Sequence, residues 1–269
     1  MRRFASIGPP RVRFEVVAKA DGLRVLSHPE PRLAAAYAGA VVEAAHRVEA
    51  ALGREVVANR VASVSLTPPA IVLRSWSAAR ASLDAVRRTW PADLRIVRTD
   101  VAACYPSIRP PVVADALEGV GVAAPAVAAC VRVLEEFGDA GVPGLPIGPA
   151  PSAVLSNAVL ATGDRALRRT GLAFARWVDD WWIAAGSASQ LAAALGLLGD
   201  ALATAGLRLN DAKTRVVDRN DVGWASTAEY HRAAHAHAVP LVPGPYALVP
   251  GHRRVGPGRR ASRPANGQR

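Results

Sequence analysis

Two consecutive aspartates lie in the run Arg176-Trp-Val-Asp-Asp-Trp-Trp-Ile183, enclosed by three tryptophans and two branched aliphatics. Ionised carboxylates in such surroundings are costly unless they are paired or bind metal. A fold that accepts this segment must therefore find partners for both charges. The commonest use of Asp-Asp is to cap an exposed turn, and the aromatic flanks argue against it here. The segment reads instead as two strands over 174–185 that meet at Asp179 and Asp180. A third acid, Asp100, closes a strand over 94–101 with apolar residues at alternating positions. Carboxylates from neighbouring strands gathered at one sheet edge make an oxygen-rich site suited to Mg²⁺. Two such ions roughly 3.5–4 Å apart can activate an attacking oxygen and stabilise a leaving one in phosphoryl transfer.

The rest of the chain is an alternation of helices and strands. An Asp21-Gly22 turn between apolar runs predicts a hairpin over 12–27. Helices are expected over 31–52, opened by Pro31, over 75–88, and over 110–118 and 124–137. The stretch Gly141 to Pro151 is dense in glycine and proline and must be a shaped loop, followed by a helix over 152–169. Another helix over 187–205 precedes a turn and strand ending near Val217. This mixture implies helices packed on a sheet. Hydrophobic residues make up 51% of the 269 and charged ones 20%, which excludes wholesale disorder and allows one large domain or two small ones. Cys104 and Cys130 are too few for a disulfide scaffold or a zinc site. No apolar run suits a membrane span or a secretion signal, so the expected setting is cytoplasmic, without a membrane.

The net charge of +11 is unevenly placed, because the six arginines after Pro250 supply +6 of it with no acid among them. That segment, 251–269, is rich in glycine, proline and arginine and is expected to be a disordered basic tail. Its Arg253, Arg254, Arg259 and Arg260 are candidates for salt-sensitive phosphate contacts with nucleic acid. The chain has 31 arginines but only two lysines, Lys19 and Lys213. Those two positions suggest sites where an ammonium differs from a guanidinium in function. His231, His235 and His237 cluster in sequence, yet they have no cysteine nearby and read as a solvated stretch rather than a metal site.

In order along the chain, these segments resemble the reverse transcriptases. Arg98-Thr-Asp-Val-Ala-Ala-Cys-Tyr-Pro-Ser-Ile108 is similar to the family's first palm motif, an aspartate followed five positions later by an aromatic. Gly144-Leu-Pro-Ile-Gly-Pro-Ala-Pro-Ser-Ala-Val-Leu-Ser-Asn157 is similar to the template-and-nucleotide loop that leads into a helix. Trp177-Val-Asp-Asp180 resembles the aromatic-x-Asp-Asp signature. Gly206-Leu-Arg-Leu-Asn-Asp-Ala-Lys-Thr214 resembles the next palm motif, and Val222-Gly-Trp224 a weak primer-grip turn. Lys19-Ala-Asp-Gly-Leu-Arg24 is similar to the basic fingers hairpin. Ile147, where many members carry glutamine, makes the loop most like those of bacterial defence-associated and abortive-infection reverse transcriptases.

The resemblance implies an α+β right-hand polymerase: an antiparallel palm sheet with packed helices, fingers over 1–95, and a palm over 96–224 with an inserted fingers segment. Residues 225–250 would be a remnant of a thumb or connector, so the thumb is expected to be missing or truncated. By the same resemblance, Asp100, Asp179 and Asp180, with the Val101 carbonyl, would hold two Mg²⁺ ions, for which Mn²⁺ could substitute. Asp180 would support the site rather than serve as a certain ligand. Lys19 and Arg24 would face the nucleotide triphosphate, and Lys213 would protonate the leaving pyrophosphate. Tyr105 would lie under the sugar and exclude a 2′-hydroxyl, while Gly148, Pro149 and Ser152 would shape the loop behind the incoming base. The implied reaction is RNA-directed DNA synthesis from dNTPs on an RNA template with a DNA or RNA primer, in antiphage defence. A non-coding RNA or a partner protein supplying a thumb are further expected partners. Two other readings use the same residues: a catalytically inactive nucleic-acid-binding relic, and template-independent, protein-primed DNA synthesis.

Overall fold

The computed structural model describes residues 12–19 and 22–217. At its centre is a four-stranded antiparallel sheet, built from β5 (Arg95–Asp100), β6 (Ala173–Trp177), β7 (Asp180–Ala185) and β8 (Arg215–Val217) in the spatial order β6-β7-β5-β8. The strands that precede it are β1 (Val12–Lys19) with β2 (Gly22–Pro29), and β3 (Val61–Leu66) with β4 (Pro69–Leu73), each pair a separate antiparallel ribbon. The helices are α1 (Pro31–Ala51), α2 (Trp76–Arg88), the single turn α3 (Cys104–Ser107), α4 (Pro110–Gly119), α5 (Ala124–Asp139), α6 (Ala150–Thr170) and α7 (Ala188–Ala203). Among the described residues no helix is long and apolar enough to cross a membrane.

Strand β7 shows why the sheet forms here. Its sequence, Asp-Trp-Trp-Ile-Ala-Ala, has no polar face, as expected of a strand covered on both sides. Trp181 and Ile183 point into the larger core with Val97, Leu160, Leu167 and Leu198. Trp182 and Ala184 point the other way, into a second cluster with Ile96, Trp177, Ala79, Leu83 and Trp90. Each large side chain buried in this way contributes about 1.5–3 kcal/mol. Helix α6 is buried around most of its circumference, from Pro151 to Leu167, and packs on α1, α4 and α7. Local signals set the helix starts. Pro31 opens α1, the Ser75 hydroxyl accepts from the Ala78 N–H at the head of α2, and Ser187 with Gln190 forms a capping box on α7.

The expected helices and palm strands lie within one to three residues of these bounds. The β3–β4 ribbon and the turn α3 are additions that sequence periodicity does not announce. Residues 61–73 alternate weakly, and β4 is held by tertiary contact, with Ile71 buried in the core that α1 lines. The Asp21 turn, the primer-grip candidate 222–224, the thumb remnant 225–250, the histidines 231, 235 and 237, and the arginines of the basic tail lie outside the described residues.

Candidate active site

The register of the sheet brings the acids together. Asp100 ends β5 directly opposite Asp180, which begins β7, while Trp177 of β6 also faces Asp180. Only Val178 and Asp179 connect β6 to β7, so Asp179 is carried at the tip of a two-residue hairpin beside the end of β5. Val178 has φ +57°, a left-handed conformation that a β-branched residue adopts only under restraint.

Asp100 is 7% exposed. Its Oδ2 accepts a hydrogen bond from Lys213 Nζ at 2.7 Å, and its Oδ1 is buried with no hydrogen-bond partner. The turn Asp211–Lys213 that delivers the lysine is tied to the same strand end, since the Asn210 N–H donates to the Asp100 carbonyl at 2.8 Å. Burial pushes the Asp179 carboxyl above the usual carboxylate range, and the negative charge of Asp100 pushes it further. Its own backbone N–H, Arg24 and Lys213 oppose the shift. Two carboxylates therefore share a poorly solvated corner toward which the charges of Arg24 and Lys213 are directed.

Asp180, expected to support the site rather than serve as a certain ligand, is ion-paired beside it. Its Oδ1 accepts from Arg98 Nη2 at 3.1 Å and Nε at 3.2 Å, and the same guanidinium lies 5.1 Å over the Trp182 ring. Arg98 and Asp100 are two residues apart on β5, so their side chains share a face with Asp180 across the strand pair. Burial nonetheless drives the Asp180 carboxyl up to about 7 against the pull of Arg98. Among the described residues, no three Asp, Glu, His or Cys side chains gather as a metal-holding group. The pair Asp100 and Asp179 still fits a hard divalent cation. Mg²⁺ is commonly held by one or two carboxylates and completes its shell with water and substrate phosphates. An orphaned carboxylate oxygen beside a second, charge-strained carboxylate is the donor set such an ion takes.

The remaining expected residues surround this corner. Val101 follows Asp100 with its side chain buried and its backbone bridged to Leu209. Arg24, half-buried on β2, projects its charge onto both Asp179 and Tyr105. The ribbon is held over the site by the Ser27 N–H, which donates to the Ile147 carbonyl at 2.8 Å. Gly148 sits at this junction with φ +127°, a conformation that favours glycine. Lys19 lies at the end of β1, and its side chain is outside the described residues. The Tyr105 hydroxyl accepts from Ser156 Oγ at 3.3 Å and Asn59 Nδ2 at 3.4 Å, and burial raises its pKa. Ser152, expected near the nucleotide, is wholly buried in α6 and its hydroxyl bonds Tyr37 at 2.9 Å. That hydroxyl is occupied in holding α6 to α1.

Sequence reasoning missed the polar network behind the hairpin. Arg176 of β6 and Asp164 of α6 form an ion pair whose two side chains are both 0% exposed. Arg176 Nη1 also donates to Asn157 Oδ1 at 2.8 Å and to the Val178 carbonyl at 2.7 Å. The available signal was Arg176 as the single charge of β6 and Asp164 as the first charge of α6 after a long uncharged stretch, though either residue alone reads as solvated.

Comparison with known proteins bears on family and fold. The family model described as reverse transcriptase (RNA-dependent DNA polymerase) matches residues 57–231. Among solved structures, a telomerase from Candida albicans, in complex with a TWJ fragment of telomeric RNA, superposes with a TM-score of 0.52 at 13% sequence identity. The match covers 78% of this chain and 42% of the telomerase chain, and at that identity it is a likeness of fold. No curated protein sequence gives a significant match.

Proposed function

The chain belongs to the reverse transcriptase (RNA-dependent DNA polymerase) family, and on that footing we propose that it extends a primer 3′ end with dNTPs on an RNA template. The observation that carries this reading is the corner formed by Asp100 and Asp179, where one buried carboxylate oxygen has no protein partner. Asp100 and Asp179 would hold Mg²⁺, or Mn²⁺ in its place, with the Val101 carbonyl beside them. When bound, the metal supplies activation of the primer 3′-oxygen and neutralisation of the leaving pyrophosphate. Arg24 projects from the β1–β2 ribbon toward the same corner, where a guanidinium offers the triphosphate fixed, always-charged donors. Lys213, already at the carboxylates, carries a titratable ammonium that can pass a proton to the departing oxygen. Tyr105, fixed from behind by Ser156 and Asn59, presents a ring wall to the sugar. A role in antiphage defence, with an associated RNA, extends the same proposal.

Purified chain mixed with Mg²⁺, dNTPs and a primed RNA should incorporate deoxynucleotides, and Asp179→Asn should lower the rate by more than the ~100-fold that marks the upper range for loss of an outer-shell partner. Sequencing the product distinguishes templated copying from untemplated addition. Absence of incorporation by wild type across RNA, DNA and protein primers, with either metal, would overturn the reading.

A further inference from the structure

We infer that Arg176, held by Asp164, is a positioning residue that sets the Val178–Asp179 hairpin in its metal-binding shape. The inference rests on the proposed polymerase reading and adds to it a residue that touches neither metal nor substrate.

The buried guanidinium divides its donors between two tasks. Nε donates to both oxygens of Asp164, at 2.9 Å and 3.1 Å, and Nη2 donates to Asp164 Oδ2 at 2.7 Å. These bonds cancel the charge inside the core. Trp181 Nε1 adds a fourth bond to Asp164 at 3.1 Å, and its ring lies 5.5 Å from the guanidinium carbon. The other nitrogen, Nη1, points forward to the Val178 carbonyl at 2.7 Å and sideways to Asn157 at 2.8 Å.

Val178 is the residue that needs restraint. It has φ +57° with a branched side chain, and it is the residue immediately before Asp179. Rotation of that peptide would reorient the Asp179 carboxylate away from Asp100. The bond from Nη1 fixes the carbonyl of this residue from inside the protein. The anchor is rigid because Arg176 is held through its backbone as well. Its N–H donates to the Glu55 carbonyl at 2.8 Å, and its carbonyl accepts from the Val57 N–H at 3.0 Å. Asn157 extends the network by donating to the Asn59 carbonyl at 3.0 Å, and Asn59 in turn reaches Tyr105. One polar chain thus joins the metal hairpin to the wall proposed for the sugar.

An ion pair needed only for folding can be replaced by apolar residues of similar volume with little loss of stability. A positioning pair cannot be replaced without loss of function at the hairpin. The test uses the full chain carrying R176M and D164L together, followed by thermal melting and by Mn²⁺ titration monitored by electron paramagnetic resonance. The expected result is a melting midpoint close to wild type with Mn²⁺ bound at least ~10-fold more weakly, the scale on which outer-shell partners act. A folded double variant that binds Mn²⁺ as tightly as wild type would overturn the inference. Should the pair fail to melt cooperatively, R176K serves instead. Its single ammonium can neutralise Asp164 but cannot also reach both Asn157 and Val178, and the same weakening is expected. Unchanged affinity in R176K overturns the inference equally. If wild-type chain shows no Mn²⁺ binding that Asp179→Asn abolishes, the polymerase reading itself fails and takes this inference with it.

Discussion

Lys213 Nζ lies 2.7 Å from Asp100 Oδ2, on a carboxylate whose other oxygen is buried and unpartnered. The sole lysine among residues 20–269 is thus set, together with Arg24, against the carboxylate pair. The ammonium and a divalent ion compete for the same negative charge.

Two opposite effects are therefore expected in Lys213→Ala. Removing the competing cation should tighten Mn²⁺ binding severalfold, while loss of a proton donor to pyrophosphate should lower kcat by about 10²–10⁴-fold. Calorimetric Mn²⁺ titration and single-turnover incorporation read the two separately. Weaker metal binding in the variant would show that the lysine supports the site rather than competing for it.

The buried ion pair makes a stability prediction that does not depend on catalysis. Asp164→Ala leaves the Arg176 guanidinium without its counter-ion at 0% exposure. Breaking a pair of this kind costs about 3–5 kcal/mol. Urea unfolding followed by tryptophan fluorescence should show the loss, and a change below about 1 kcal/mol would mean that water reaches the site.

The pH dependence of stability follows from Asp180. Its carboxyl rises from the ordinary 3.8 to about 7 in the folded chain, chiefly through burial. Between those values the folded state holds more protons than the unfolded one, so stability falls as pH climbs and levels off above about 7. The raised Asp179 carboxyl acts in the same direction. In chelator-treated protein, the urea midpoint of wild type should decline from pH 4 to pH 7 more steeply than that of Asp180→Asn. Parallel profiles would show that Arg98 holds Asp180 ionised throughout.

Tyr105 tests the sugar wall. Replacing it by alanine removes the ring while leaving Ser156 and Asn59 in place, and should relax discrimination against ribonucleotides by at least ~10-fold, about 1.4 kcal/mol. Incorporation ratios for matched dNTP and rNTP pairs give the answer. An unchanged ratio would place the discriminating contact elsewhere.

Much of the fold is legible because its signals are local. Pro31, Ser75 and Ser187 mark helix starts by satisfying or omitting backbone donors, and the unbroken apolar run after Asp180 marks a strand covered on both faces. The β3–β4 ribbon escaped because its stability comes from Ile71 against the α1 side of the core rather than from its own alternation. The acids of the candidate site stood out as charges in apolar sequence. Which of them face each other did not, since the pairing of Asp100 with Asp180 spans 80 residues of chain. Arg176 and Asp164 stayed hidden because each partner is ordinary until the other is known.

The amino-acid order alone determined that three carboxylates had to be accommodated in apolar surroundings, and that strands and helices of the observed lengths would carry them. Those demands are imposed by desolvation and by backbone hydrogen bonding, which act over a few neighbouring residues. Tertiary structure alone decided the division of labour, leaving Asp100 and Asp179 together, giving Asp180 to Arg98, and placing a buried guanidinium behind Val178. Coulombic and hydrogen-bond partners are chosen by distance in space, and that distance exists only once sheet register and helix packing are set.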